Sequence, residues 1–231
     1  MSNNFKIIQN DSPPMKGDAV DSIDSCSIDL QYFASVAYYS SLSRFKYAYF
    51  DSYLFVEKSG ICNRCRIMTA NGPLILSIPL LDGRSQRKPV RDIQICWKGR
   101  WAADHWRSIE SAYGRSPWYD HYSPQLRALY ARKDTYLIDF LMETTEWILR
   151  SLKVNMERNY NSLDPSVTSL TDLRLASPPT TPQGHPSFLR AAQVYPQVFM
   201  ERHGFVGNLS ILDLLFCLGP GANSYLLKMS V

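Results

Sequence analysis

The apolar positions of the chain follow strand-like runs up to about residue 96 and a helical period from residue 100 onward. "SCSIDL", residues 25–30, is a short apolar run of the kind that forms a buried strand. "QYFASVAYYSSLSRF", 31–45, then places Phe33, Val36, Ala37 and Leu42 near helical spacing. "YAYFDSYLFVE", 47–57, mixes aromatic and β-branched residues as strands do, with a break expected at Asp51. Residues 61–69 and 74–81 both read as strands, and Asn71-Gly72 lies between them. That pair favours a tight hairpin, because both central positions of a type I′ turn need positive φ. Alternation along the first arm sends Asn63, Cys65 and Ile67 to one face and Cys62, Arg64, Arg66 and Met68 to the other. "LILSIPLL" is nearly all apolar and predicts a strand covered on both faces. "RDIQIC", 91–96, is the last strand expected before the period lengthens.

From residue 100, Trp101, His105, Ile109 and Ala112 form one stripe of a helix that Gly114 is placed to end. "SPWYDHYSPQLRALYARK" predicts a turn and a short helix. "TYLIDFLMETTEWILRSLKV", 135–154, is the clearest amphipathic helix, with Leu137, Phe140, Leu141, Thr144, Ile148 and Leu152 on one face. "SLTDLRL" is expected to return to the sheet. Near the end, Ser210 is a candidate N-cap, with Asp213 in capping-box position before "ILDLLFCLG" and a stop at Gly219-Pro220-Gly221. The pattern predicts an α/β fold: a single domain with a mixed sheet that includes the 61–81 hairpin, helices packed on it, and a short helical C-terminal unit. Residues 1–24 are polar and are expected to be a poorly ordered leader, with one short strand at "FKII". Residues 25–231 form the domain, interrupted by a proline-rich loop at 176–187 that holds Pro178, Pro179, Pro182 and Pro186.

Composition narrows the function classes. A hydrophobic content of 45% with 20% charged residues is that of a globular protein, and 13% aromatic content speaks against disorder. A net charge of +4 is well short of a nucleic-acid arm, so no nucleic-acid partner is expected. No apolar run approaches the ~18 residues of a membrane span. The N-terminus lacks the apolar core of a signal peptide, and five scattered cysteines make no disulfide framework, so a cytoplasmic location is expected. Oligomeric state is left open.

Candidate chemistry starts with the C-x-x-C at Cys62 and Cys65. Residues i and i+3 of a strand face opposite ways and no second ligand pair follows, so structural cysteines and no metal are expected. Arg64 and Arg66 share a strand face and suit a phosphate or carboxylate; Asn63 lies beside them. His105 sits mid-helix among tryptophans, as a core residue or a general base. Tyr113 is two turns along and is expected to line the same pocket. Asp51 at a strand end, and Gln31 and Tyr32 after the first strand, stand where α/β folds place reactive groups. Arg84, Arg87, Lys88 and Arg91 form a basic loop, and Trp97, Trp101 and Trp118 are core residues or a stacking platform. There is no P-loop, G-x-G-x-x-G, G-x-S-x-G or H-E-x-x-H motif, and the cofactor is left open.

"NRCRI", "NGPLILSIPL", "HWRSIESAYGRSPWYDHY" and "GFVGNLSILDLLF", in that order, resemble the WbqC-like family of bacterial proteins from about residue 30 to the C-terminus. Two departures are visible: "LQYFASVAYY" lacks the family's Pro before its Tyr, and "FCLGP" replaces a polar ending. The family takes its name from a member encoded among O-antigen synthesis genes, and members are described as glycine or aminoacyl transferases. The resemblance implies a transferase of surface-polysaccharide assembly, adding a small acyl or aminoacyl group to a nucleotide-linked or lipid-linked sugar or other small molecule. Arg64 and Arg66 would hold its anionic group, Asn63 would orient the carbonyl and His105 would take the proton, which requires positions 64 and 105 to share a hollow. The alternatives are a non-catalytic sugar-binding or scaffold protein of the same pathway and a nucleotidylyltransferase-like enzyme, the latter by analogy of fold.

Overall fold

Four short strands lie side by side, all parallel, in the order β5–β2–β1–β6: β1 (Ser25–Ile28), β2 (Tyr47–Phe50), β5 (Glu157–Asn159) and β6 (Thr171–Asp172). The computed structural model describes residues 24–55, 62–83, 86–160, 170–173 and 193–229. The "FKII" strand, most of the leader, Arg84 and the proline-rich loop lie outside the described residues. β1, flanked by β2 and β6, is buried along its whole length, as its short apolar run predicts. β2 alternates, with Ala48 and Phe50 inward, and β5 at the edge is exposed throughout.

The chain leaves β1 into α1 (Val36–Leu42), shorter than the 31–45 helix the spacing suggests. Ser35 caps it, its hydroxyl accepting from Tyr38 N. β2 ends just before Asp51, where the break was expected. The hairpin, β3 (Arg64–Thr69) and β4 (Gly72–Ser77), forms its own antiparallel ladder beside the parallel sheet. Its loop is Ala70-Asn71, one residue earlier than the sequence suggests. Gly72 pairs with Thr69 and carries the positive φ of +106° inside the ladder, while the Thr69 hydroxyl accepts from Asn71 N and donates to Gly72 O. β4 is not covered along its length: the consecutive residues Leu74 and Ile75, which point to opposite faces, are both exposed, and burial resumes only at Leu76. "RDIQIC" is not a strand but a 3-10 turn (Val90–Asp92) followed by single bridges from Ile95 to Leu80 and from Gln94 to Tyr136.

The helices match their periodicity closely: α2 (Trp101–Tyr113), α3 (Tyr119–Ala131, running through Pro124) and α4 (Leu137–Leu152). The six apolar-face positions of α4 are all buried, and Lys153 ends the helix in the left-handed conformation. Glu146 of α4 accepts from Arg158 Nε (2.8 Å) and Tyr160 Oη (2.6 Å), tying edge strand β5 to the helix layer. The C-terminal unit comprises α5 (Met200–His203), α6 (Ile211–Leu218) and, after a 3-10 turn, α7 (Ala222–Met229). α6 penetrates the core: Ile211, Leu212, Leu214, Leu215 and Phe216 have no exposed surface.

Candidate functional site

Parallel strands aim their carboxyl ends at one edge, and α/β proteins bind ligands there. Asp29 follows β1, and its Oδ2 accepts from Gln31 Nε2 (3.0 Å). Asp51 follows β2; its amide bonds Ile28 O (3.2 Å), placing it next to the end of β1, and its Oδ1 accepts from Tyr53 N (2.9 Å). The loop after β1 meets the approach to β3 where Tyr32 N donates to Cys62 O (2.8 Å). The Cys62 thiol is pushed up to about 12, first by burial and next by the Asp29 carboxylate, while Arg64 acts in the opposite direction. Asp29, Cys62 and Arg64 are therefore electrostatic neighbours. Arg64 is half-buried and, among the described residues, its side chain has neither an ion pair nor a hydrogen bond. Arg91 lies alongside, its guanidinium 4.6 Å from the Tyr53 ring centre and its amide on Ser52 O (3.2 Å).

Arg66, on the same strand face as Arg64, is differently occupied. Its Nη2 donates to the carbonyls of Gly207 (3.1 Å) and Asn208 (3.3 Å), and burial lowers its pKa. The segment it holds also plugs the start of α1. Val36 N donates to Leu209 O (2.9 Å), Ala37 N to Asn208 Oδ1 (3.1 Å) and Tyr38 N to Ser35 Oγ (3.3 Å). The orphan amides that cradle phosphate in many α/β proteins are thus spent internally here. Asn63 is a ladder residue: it is buried, and its Nδ2 donates to Ile78 O (2.8 Å).

His105 lies in an aromatic enclosure of Tyr32, Trp101 and Tyr130, 7% exposed. Its Nδ1 is 3.0 Å from Tyr32 Oη, and the Ser77 backbone lies close enough to pull its pKa upward against the effect of burial. Tyr32 Oη thus bridges His105 Nδ1 and Tyr130 Oη in one buried chain, with the donor at each link set by the imidazole tautomer. Burial lowers the imidazole to about 4, so it is neutral at pH 7. Ser77 links the two ends of the expected catalytic pair, because its Cα pairs with that of Arg64 across the hairpin. The imidazole nevertheless lies sealed among rings while the guanidinium is half-exposed. Tyr113 is not beside His105. It is fully buried, accepts from Met68 N (3.2 Å) and faces Asp213.

Asp213 is the most deeply placed acid among the described residues. It is 1% exposed, and its Oδ2 accepts from Tyr195 Oη (2.7 Å) and Gln197 Nε2 (2.9 Å). Its expected capping-box role is not realised, because the carboxylate turns away from the helix start. Burial raises its pKa, while the bonds from Tyr195, Gln197 and Tyr113 act the other way.

The structure thus gathers Asp51, Gln31 and Arg64 near one edge and leaves Asn63, Arg66, Tyr32, His105 and Tyr113 in the framework behind it. Sequence reasoning missed Asp29, although the signal used for Asp51, an acid directly after a buried strand, applies equally. It had no signal for Tyr130 or Tyr195, which pair with partners 98 and 18 residues away. The C-x-x-C carries five-cysteine chemistry no further: all five thiols are free. Trp118 packs on Gly219, and Trp97 Nε1 donates to Asp134 O (2.7 Å), so both serve as packing residues.

A small parallel sheet with acids at its carboxyl edge, an antiparallel hairpin carrying Arg64 beside it, and helices around both define a mixed α/β protein. The chain belongs to the WbqC-like protein family, whose model matches residues 30–175. The match covers β1's exit loop through β6 and stops before the C-terminal unit. No curated protein and no solved structure matches the chain. No helix among the described residues is long and apolar enough to cross a membrane.

Proposed function

We propose that the protein is a transferase of surface-polysaccharide assembly that works at the carboxyl edge of the parallel sheet, adding a small acyl or aminoacyl group to an activated sugar. The observation that carries this reading is Arg64. A half-buried guanidinium without a partner is costly unless an anion completes it, and here it sits beside Asp29 and Cys62 at the edge where α/β folds bind substrates. Arg64 holds the phosphate or carboxylate of the activated donor. The acceptor's amine or hydroxyl attacks the donor carbonyl and its proton passes to the Asp29 carboxylate, which Gln31 orients. The bond to the leaving group breaks, and the electron pair departs with the activating group. Asp51 and Arg91 flank the acceptor.

Two features shape this assignment. His105 is buried among aromatic rings, bonded through Nδ1 to Tyr32, and has a depressed pKa, so the proton is assigned to a carboxylate and His105 becomes a positioning residue for Tyr32. Cys62, with its thiol pushed up to about 12, is not a nucleophile at neutral pH, which favours direct transfer over a thioester intermediate. The occupied amides of α1 disfavour the nucleotidylyltransferase-like alternative. The test is mass spectrometry of surface glycans from a deletion strain complemented with wild type, Arg64→Ala or Asp29→Asn. The wild-type gene restores a small acyl or aminoacyl substituent, and the variants leave it missing or reduced at least ~100-fold. Glycans identical in all strains overturn the reading; an unmodified deletion strain rescued equally by both variants points to the non-catalytic scaffold.

A further inference from the structure

We propose that a second pocket, at the opposite end of β3 from Arg64, binds a small anionic amphiphile: a carboxylate or phosphate carried on an apolar body. Its volume is ≈ 560 Å³, within the roughly 300–1,000 Å³ typical of small-molecule sites. Its walls are the hairpin tip at Ala70, the end of α2, the segment Pro196–Phe199, and Cys217 of α6. Six residue steps at about 3.3 Å each put Ala70 roughly 20 Å along the strand from Arg64, so the pocket is separate from the carboxyl edge.

The chemistry of the lining selects the ligand. Arg115 is the one charged residue in the wall, is exposed, and has no ion pair or hydrogen bond from its side chain among the described residues. Ser111, four residues earlier, adds an exposed hydroxyl. Opposite them, Pro117, Val198 and Phe199 are apolar. The other polar groups are already used. The two Nε2 hydrogens of Gln197 are spent on Val206 O and on the Asp213 Oδ2–Tyr195 Oη pair, its Oε1 accepts from Val206 N, and Ser116 Oγ donates to Tyr113 O. The Cys217 thiol is pushed up to about 12 by burial and is neutral. What remains is one cation with a hydroxyl on an otherwise neutral, apolar cavity, which complements a single anionic head and a hydrophobic body. The buried Asp213–Gln197–Val206 bonds hold the 195–199 wall in place, so the cavity is preformed.

The test titrates the purified full chain with octanoate and octyl phosphate below their micelle-forming concentrations, with octyltrimethylammonium as the cation on the same tail, followed by calorimetry. Both anions are expected to bind at one site, at least ~10-fold more tightly than the cation. Arg115→Ala and Arg115→Glu weaken the anions ~10-fold or more, Arg115→Lys retains most of the affinity, and Arg107→Ala on the outer face of α2 changes nothing. Val198→Trp, which fills the apolar side, weakens both anions without abolishing the thermal transition. The tighter of the two anions identifies the head group. Absence of saturable binding, equal affinity for the cation, or full affinity in Arg115→Ala overturns the proposal. None of these measurements involves glycan transfer, so failure here leaves the reading of Arg64 untouched, and the converse also holds.

Discussion

His105 offers the sharpest test of the interior, because its neutral state is built into the fold. The imidazole is 7% exposed, packed against Trp101 at 5.2 Å and Tyr32 at 5.8 Å between ring centres, with Tyr32 Oη hydrogen-bonded to Nδ1. Burial lowers its pKa to about 4, against a small opposing pull from Asp104 and the Ser77 carbonyl. The unfolded chain protonates it near pH 6.5. A folded pKa below the unfolded one means that the unfolded state binds more protons between those values. This part of the stability is complete above about pH 6.5 and is lost as pH falls toward 4. The linkage relation gives a loss of about 2 kcal/mol between pH 7 and pH 5, and about 3 kcal/mol in all. Asp213, whose pKa burial raises, also makes stability depend on pH, so the measurement is a difference between two proteins that share it. Urea unfolding of wild type and His105→Gln, whose amide can still bond Tyr32 Oη, is compared at pH 7 and pH 5. The stability gap between the two proteins is expected to shrink by about 2 kcal/mol at the lower pH. A gap constant to within about 0.5 kcal/mol would refute the reasoning. So would a His105 ring-proton resonance, identified by its loss in the variant, that titrates near the ordinary histidine value.

Two further perturbations probe other parts of the molecule. Asp213 has the opposite linkage sign: its raised folded pKa makes stability fall as pH rises from the ordinary carboxylate range through the folded value. Asp213→Asn keeps an acceptor for Tyr195 and Gln197, so its denaturation midpoint should be flatter across that window and higher than wild type at neutral pH. A parallel decline in both proteins would contradict the buried-acid picture. Gly219 has φ of +53°, and a Cβ there would fall 2.2 Å from the Trp118 ring. Gly219→Ala should cost about 2–4 kcal/mol and lower Tm by several degrees, whereas Gly204→Ala, with open space around it, should cost less.

The sequence by itself determined the elements whose signal is periodic and local. The stripe of α4, the stripe of α2 and the Ser210 cap all emerge at the residues that pattern marks, because each is set by neighbours within a turn. The strand break at Asp51 was legible for the same reason. Other features required the tertiary structure. The hairpin loop shifted by one residue because the Thr69 hydroxyl closes Ala70-Asn71, leaving Gly72 its positive φ within the ladder. Arg64 and Arg66, indistinguishable in the sequence, part company only when the 207–208 carbonyls arrive to occupy one of them. His105 becomes a sealed, neutral group once Tyr130 and Ser77 reach it from elsewhere in the chain. Burial, and the partner at each polar atom, depend on contacts tens to more than a hundred residues apart in sequence, which no window along the chain contains.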